Sequence, residues 1–237
     1  MRALAAALVL SAGAVAADIQ SAQYVEPTSR YPHAVLGDAI EHAGLEVTLS
    51  NGQKLTAIWQ EELVFEDTAP RVIDLDGDGS AEVITVESHQ NQGARLAIWG
   101  LSEDGALVQL AQTPFIGTRF RWLAPVGAAD LDGDGVAEIA YVDRPHLAKT
   151  LRVWSYATQS DGTKTLIPRG DYVGVTNHRI GEVDIAGGIR DCGSGPQMIV
   201  ASANWRDLLA VSFDGDFKVS QIGDDTSRAA FAEALRC

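Results

Sequence analysis

Asp74-Leu-Asp76-Gly-Asp78-Gly-Ser80-Ala-Glu82 and Asp130-Leu-Asp132-Gly-Asp134-Gly-Val136-Ala-Glu138 are two copies of one nine-residue pattern. Each places carboxylates at positions 1, 3, 5 and 9 and glycines at positions 4 and 6. Ca²⁺ is a hard cation that takes six to eight oxygens at about 2.3–2.6 Å. Carboxylates packed this closely repel one another unless a cation lies among them, and the glycines let the backbone turn sharply enough to aim them at one point. The expected ligands are Asp74, Asp76, Asp78 and Glu82 in one loop and Asp130, Asp132, Asp134 and Glu138 in the other. The backbone carbonyls of Ser80 and Val136 are expected to add an oxygen each, for about two Ca²⁺ ions per chain.

An EF-hand loop needs a bidentate Glu at position 12 and helices on both flanks. Position 12 is Thr85 in one copy and Tyr141 in the other, and the flanks are short β-branched runs such as Arg71-Val-Ile and Glu82-Val-Ile-Thr-Val. Such runs read as strands, so each acidic loop is expected to join the two arms of a hairpin. The same order follows both loops: a strand, a polar stretch, a strand through Trp99 or Trp154, an Asp-Gly turn, then a further strand. A third copy begins at Gly181-Glu-Val-Asp184, with a longer loop that has lost its carboxylates. A fourth lies upstream, where Leu36-Gly-Asp38 aligns with the start of the first loop and Glu46-Val-Thr-Leu with Glu82-Val-Ile-Thr. Four-stranded units in series point to a β-propeller.

Around Val-Ile-Asp74 to Glu82-Val and Ala-Ala-Asp130 to Glu138-Ile the chain resembles the FG-GAP/VCBS repeat family. These are the Ca²⁺-loop propeller repeats of integrin α-subunits and of many bacterial exported proteins. Glu82 and Glu138 stand where the family usually has Asp. The resemblance implies an all-β propeller, and although propellers of the family often have seven blades, the four detectable units, near 30–66, 67–122, 123–179 and 180–226, imply a small one of about four four-stranded blades. It also implies that the face opposite the Ca²⁺ loops is the working surface.

Residues 1–17 read as a secretory signal, with Arg2, an apolar Ala/Leu/Val stretch and a small-residue end. That leaves 18–237 as one domain, exported to the periplasm or the outside and expected to be a monomer. No later stretch has the length of a membrane helix. The net charge of −14 argues against general nucleic-acid binding. In an exported chain Cys192 and Cys237 are expected to pair, pinning a short helix within 227–236.

In a four-stranded blade the loops opposite the acidic hairpins are the 2–3 connections and the links between units. These hold Arg30, His33, His89, Arg119, Arg121, Trp122, Arg144, His146, His178, Arg179, Trp205 and Arg206. Loops on a rigid scaffold carry binding residues, and Arg suits bidentate capture of carboxylate or phosphate. The expected function is a non-catalytic, Ca²⁺-stabilised interaction domain whose partner is an anionic glycan or an acidic protein surface. The alternative is a propeller hydrolase or lyase that uses His146, Arg144 and His178. Against it stands the absence of any nucleophile or metalloprotease motif. A structural reading of the same residues, with Arg and His paired to neighbouring acids and Trp plugging the centre, also stays open.

Overall fold

The computed structural model describes residues 17–237, so all but the last residue of the expected leader 1–17 lies outside it. The described chain is all-β with one short helix, in three hydrogen-bonded sheets. The first sheet contains β1 (Ile19–Thr28), β2 (Glu41–Leu49), β3 (Lys54–Ile58), β4 (Leu63–Phe65), β5 (Arg71–Ile73), β6 (Glu82–His89), β7 (Gly93–Leu101) and β8 (Leu107–Gln112). The second is the four-stranded meander β9 (Leu123–Ala129), β10 (Glu138–Asp143), β11 (Thr150–Thr158) and β12 (Lys164–Val173). The third joins β13 (Val175–Thr176), β14 (Gly188–Asp191), β15 (Pro196–Ser202), β16 (Leu208–Phe213) and β17 (Phe217–Gly223), and α1 (Arg228–Ala234) follows it.

Alternation along the strands explains how the sheets stack, because successive side chains point to opposite faces. In β6, Val83 packs toward the β1–β4 part while Ile84 and Val86 pack toward the second sheet. In β10, Ile139 and Tyr141 face the first sheet while Ala140 and Val142 face the third. In β15, Met198 and Val200 face the second sheet, whereas Ile199 and Ala201 face Phe231 of α1. Each apolar layer therefore serves two elements. The helix covers the face of the third sheet on which a further sheet would otherwise pack.

Three details depart from the sequence reading. The upstream unit is a three-stranded meander, β1-β2-β3, which β4 joins to β6 within the same sheet. Glu41 already lies in β2, so 38–46 forms no hairpin loop, and β1 was not anticipated. In the third copy the strand before the loop is β14, and the loop to β15 is the tight 192–195, with Gly193 and Gly195 at positive φ. The expected longer loop is instead the connection from β13 to β14.

Cys192 in that tight loop is disulfide-bonded to Cys237. Ser227 caps α1 by accepting the Ala230 N–H at 3.2 Å, and Phe231 is buried. Among the described residues no helix is long and apolar enough to cross a membrane.

Candidate functional site

The two acidic loops join antiparallel neighbours, β5 to β6 and β9 to β10, with Ile73 opposite Glu82 and Ala129 opposite Glu138. Their internal bonding is the same in both. The position-1 carboxylate accepts from the N–H groups of positions 4 and 6: Asp74 from Gly77 and Gly79 at 2.8 and 3.0 Å, Asp130 from Gly133 and Gly135 at 2.8 and 3.0 Å. All four glycines have φ between 71° and 92°, a region other residues enter at a cost. The position-9 glutamate folds back beneath the loop. Glu82 accepts the Leu75 N–H at 2.9 Å and Glu138 the Leu131 N–H at 3.0 Å, and both glutamates are buried.

Oxygens of Asp74, Asp76 and Asp78 lie within 4.8 Å of one another in the first loop, and those of Asp130, Asp132 and Glu138 do so in the second. Glu82 and Asp134 fall outside these two sets. Burial, reinforced by Asp76 and Asp78, raises the Glu82 carboxyl to about 7, against the Leu75 N–H that favours its ionised form. Burial and its acidic neighbours raise Glu138 in the same direction. Two cations from β12 answer part of this charge: Lys164 bonds Asp76 across the seam between sheets, and Arg169 bonds Asp132 at 2.8 Å within its own sheet. Among the described residues the Asp76 Oδ1 atom is buried without a partner. All-oxygen donors, clustered carboxylates and this orphaned oxygen fit a hard divalent cation.

The other candidate residues lie at the opposite ends of the strands. The acidic loop enters β10 at Glu138 and the loop to β11 leaves it at Asp143, so about 17 Å of strand separates them. Backbone bonds stitch the second set of loops into a collar. Gly117 donates to Gln92, Ala94 to Arg121, Arg144 to Trp122, Gly174 to Lys149, Ala203 to Gly174 and Gly181 to Val35, all between 2.7 and 3.0 Å.

Within the collar many of the candidates serve the fold. Trp122 is buried and donates to the Glu66 carbonyl at 2.8 Å. His178 is buried and its Nε2 meets the Glu182 carbonyl at 2.9 Å, which requires a proton on that nitrogen. Its Nδ1 therefore accepts from His146 Nε2 at 3.0 Å, a pair of neutral rings. Burial first, then the nearness of the His178 ring, which disfavours a second charge beside it, pulls His146 down to about 4. His33 Nδ1 lies 2.6 Å from buried Glu66, which Ser88 also bonds, so the Ser88 hydroxyl is not presented to solvent. Arg30 donates to the carbonyls of Trp59 and Leu63, Arg121 to that of Phe120, His89 sits 3.4 Å from Glu62, and Arg179 stacks on Trp205 at 3.7 Å.

Arg119 and Arg206 are exposed and Arg144 is half-buried. Arg144 lines a cavity of about 250 Å³ with Arg152, Phe115, Tyr141 and Trp154. Both guanidiniums lean on Asp143, Arg144 through Nε and Nη2 and Arg152 through Nε, while Arg152 Nη1 bonds Asp171 at 2.6 Å, so Nη1 of Arg144 and Nη2 of Arg152 lie outside these bonds. Arg152, Phe115 and Trp154 were not among the sequence candidates. Only the fold brings the β8–β9 link against β11.

Residues 46–141 match the FG-GAP-like repeat family, a stretch that contains both acidic loops entire. No curated protein matches the chain.

Proposed function

We propose that this chain, an FG-GAP repeat protein over its matched stretch, is a calcium-stabilised, exported interaction domain of 18–237 whose partner is anionic. The observation that carries the reading is the pair of carboxylate clusters with oxygens within 4.8 Å, in two loops of the same internal hydrogen bonding. Asp74, Asp76 and Asp78 with Glu82, and Asp130, Asp132 and Glu138 with Asp134, would hold one Ca²⁺ each, the Ser80 and Val136 carbonyls adding oxygens. Bound there, the cation would favour the ionised form of Glu82 and Glu138, which burial pushes toward protonation.

We infer a propeller-like fan of four units, the first of them irregular, with α1 filling the closing seam. The Cys192–Cys237 bond supports an oxidising compartment, periplasmic or extracellular. On the collar, Arg119, Arg144 and Arg206 give a cationic surface to a chain of net charge −14, and the Phe115/Trp154 cavity offers a ring-sized apolar wall beside guanidiniums. An acidic glycan meets both features.

The test is retention on immobilised polygalacturonate against a neutral glucan. The wild type should be retained on the acidic polymer alone, and replacement of Arg119, Arg144 and Arg206 by Gln should release it while its circular dichroism spectrum stays that of the folded chain. Equal retention of the triple variant would refute the collar as the binding surface.

A further inference from the structure

Tyr156 on β11 is the group left most plainly without a task. It is 1% exposed, it faces the first sheet, and its hydroxyl has no hydrogen-bond partner among the described residues. An unpaired buried hydroxyl costs about 1–3 kcal/mol, and such groups in native folds call for an explanation. A second orphan lies across the seam, the Asp76 Oδ1 of the first acidic loop. The other oxygen of Asp76 takes the Lys164 ammonium, which itself sits 5.4 Å from the Tyr156 ring. A cavity of about 390 Å³ lined by Asp76, Asp134, Tyr156 and Arg169 gives access between the two loops.

We propose that Tyr156 supplies an oxygen, from the neighbouring sheet, to the cation site of the first acidic loop. That site is then shared by two sheets and fastens one to the other. The second site differs, because Ser155 and Arg169, which bond Glu138 and Asp132, belong to the same sheet as the loop itself. A tyrosine hydroxyl is a hard neutral oxygen. It adds to the carboxylates without the repulsion that another acid would bring. The proposal rests on the reading of the acidic loops as calcium sites.

Calorimetric titration of Ca²⁺ into the EGTA-stripped full chain separates the two ideas. Asp132→Asn isolates the first loop, and adding Tyr156→Phe to it should weaken binding about 10-fold or more, the scale seen when a metal site loses a supporting partner. The metal-free melting temperature should not fall, because Phe keeps the ring packing and removes an unpaired hydroxyl. In an Asp76→Asn background, which isolates the second loop, Tyr156→Phe should leave the affinity unchanged. Equal affinity with and without Tyr156→Phe at the first loop, or an equal loss at both loops, overturns the assignment of Tyr156 alone. No Ca²⁺ uptake by the wild type overturns it together with the reading of the loops.

Discussion

Replacing Cys192 and Cys237 by Ser should cost this fold about 4 kcal/mol. The two cysteines are 45 residues apart, and in the chain-entropy model closing a loop of that length removes about 13 cal/mol/K from the unfolded state, or about 4 kcal/mol at 25 °C. The bond matters locally as well. The seven-residue α1 is too short to persist alone, and it is held by Phe231, by the Ser227 cap and by Arg190, which donates to the Ala234 carbonyl at 2.7 Å. Without the disulfide the helix should detach first and expose Ile199, Ala201 and Ala210 on the outer face of the third sheet. Urea unfolding followed by circular dichroism and tryptophan emission measures both effects, since Trp205 meets Phe231 edge-on at 6.4 Å. With a slope of about 2 kcal/mol per M the midpoint should fall by about 2 M. A midpoint within about 0.3 M of the wild type would refute the account of the C-terminus as a pinned cover.

Two further outcomes follow from buried groups. Glu41 is buried beside Glu66 and Asp38, and burial first, then those acids, raises its carboxyl from 4.5 to about 9. An acid raised in the folded state costs nothing below the unfolded value and destabilises increasingly above it, by at most about 1.4 kcal/mol per pH unit. Glu41→Gln should therefore be near neutral at pH 4.5 and stabilise by about 2–3 kcal/mol at pH 7 in urea titrations, whereas a pH-independent difference would contradict the burial argument. Gly187 has φ 84° and a Cβ there would lie 1.9 Å from the Ile199 carbonyl oxygen. Gly187→Ala should yield little soluble folded protein, and a wild-type melting temperature would show that the β14–β15 seam is looser than described.

The acidic loops were legible because their chemistry is local: glycine spacing, carboxylate spacing and strand-like flanks all lie within a dozen residues. The helix and the cysteine pair were legible for a similar reason, since few residues compete for those roles. The upstream unit was not. Asp38 and Glu46 keep the spacing of the true loops, but Glu41 pairs opposite Thr28 in β1, and the spacing of two acids does not distinguish a strand from a hairpin loop. The collar was legible as a set of loops, yet not in its roles. Trp122 and His178 look like surface binders by position, and only tertiary packing turns their polar atoms inward to Glu66 and Glu182. Tyr156 had no local signal at all, because its significance comes from the loop of another sheet.

The most direct test of the central claim is the melting temperature of the EGTA-stripped chain against that of the chain in excess Ca²⁺. At a hundredfold excess over Kd each occupied loop should add about 2.7 kcal/mol, so two loops should raise the melting temperature by about 10 °C or more. The rise should vanish in the Asp76→Asn, Asp132→Asn double variant. An identical melting temperature with and without Ca²⁺ would mean that the paired carboxylate clusters hold no calcium.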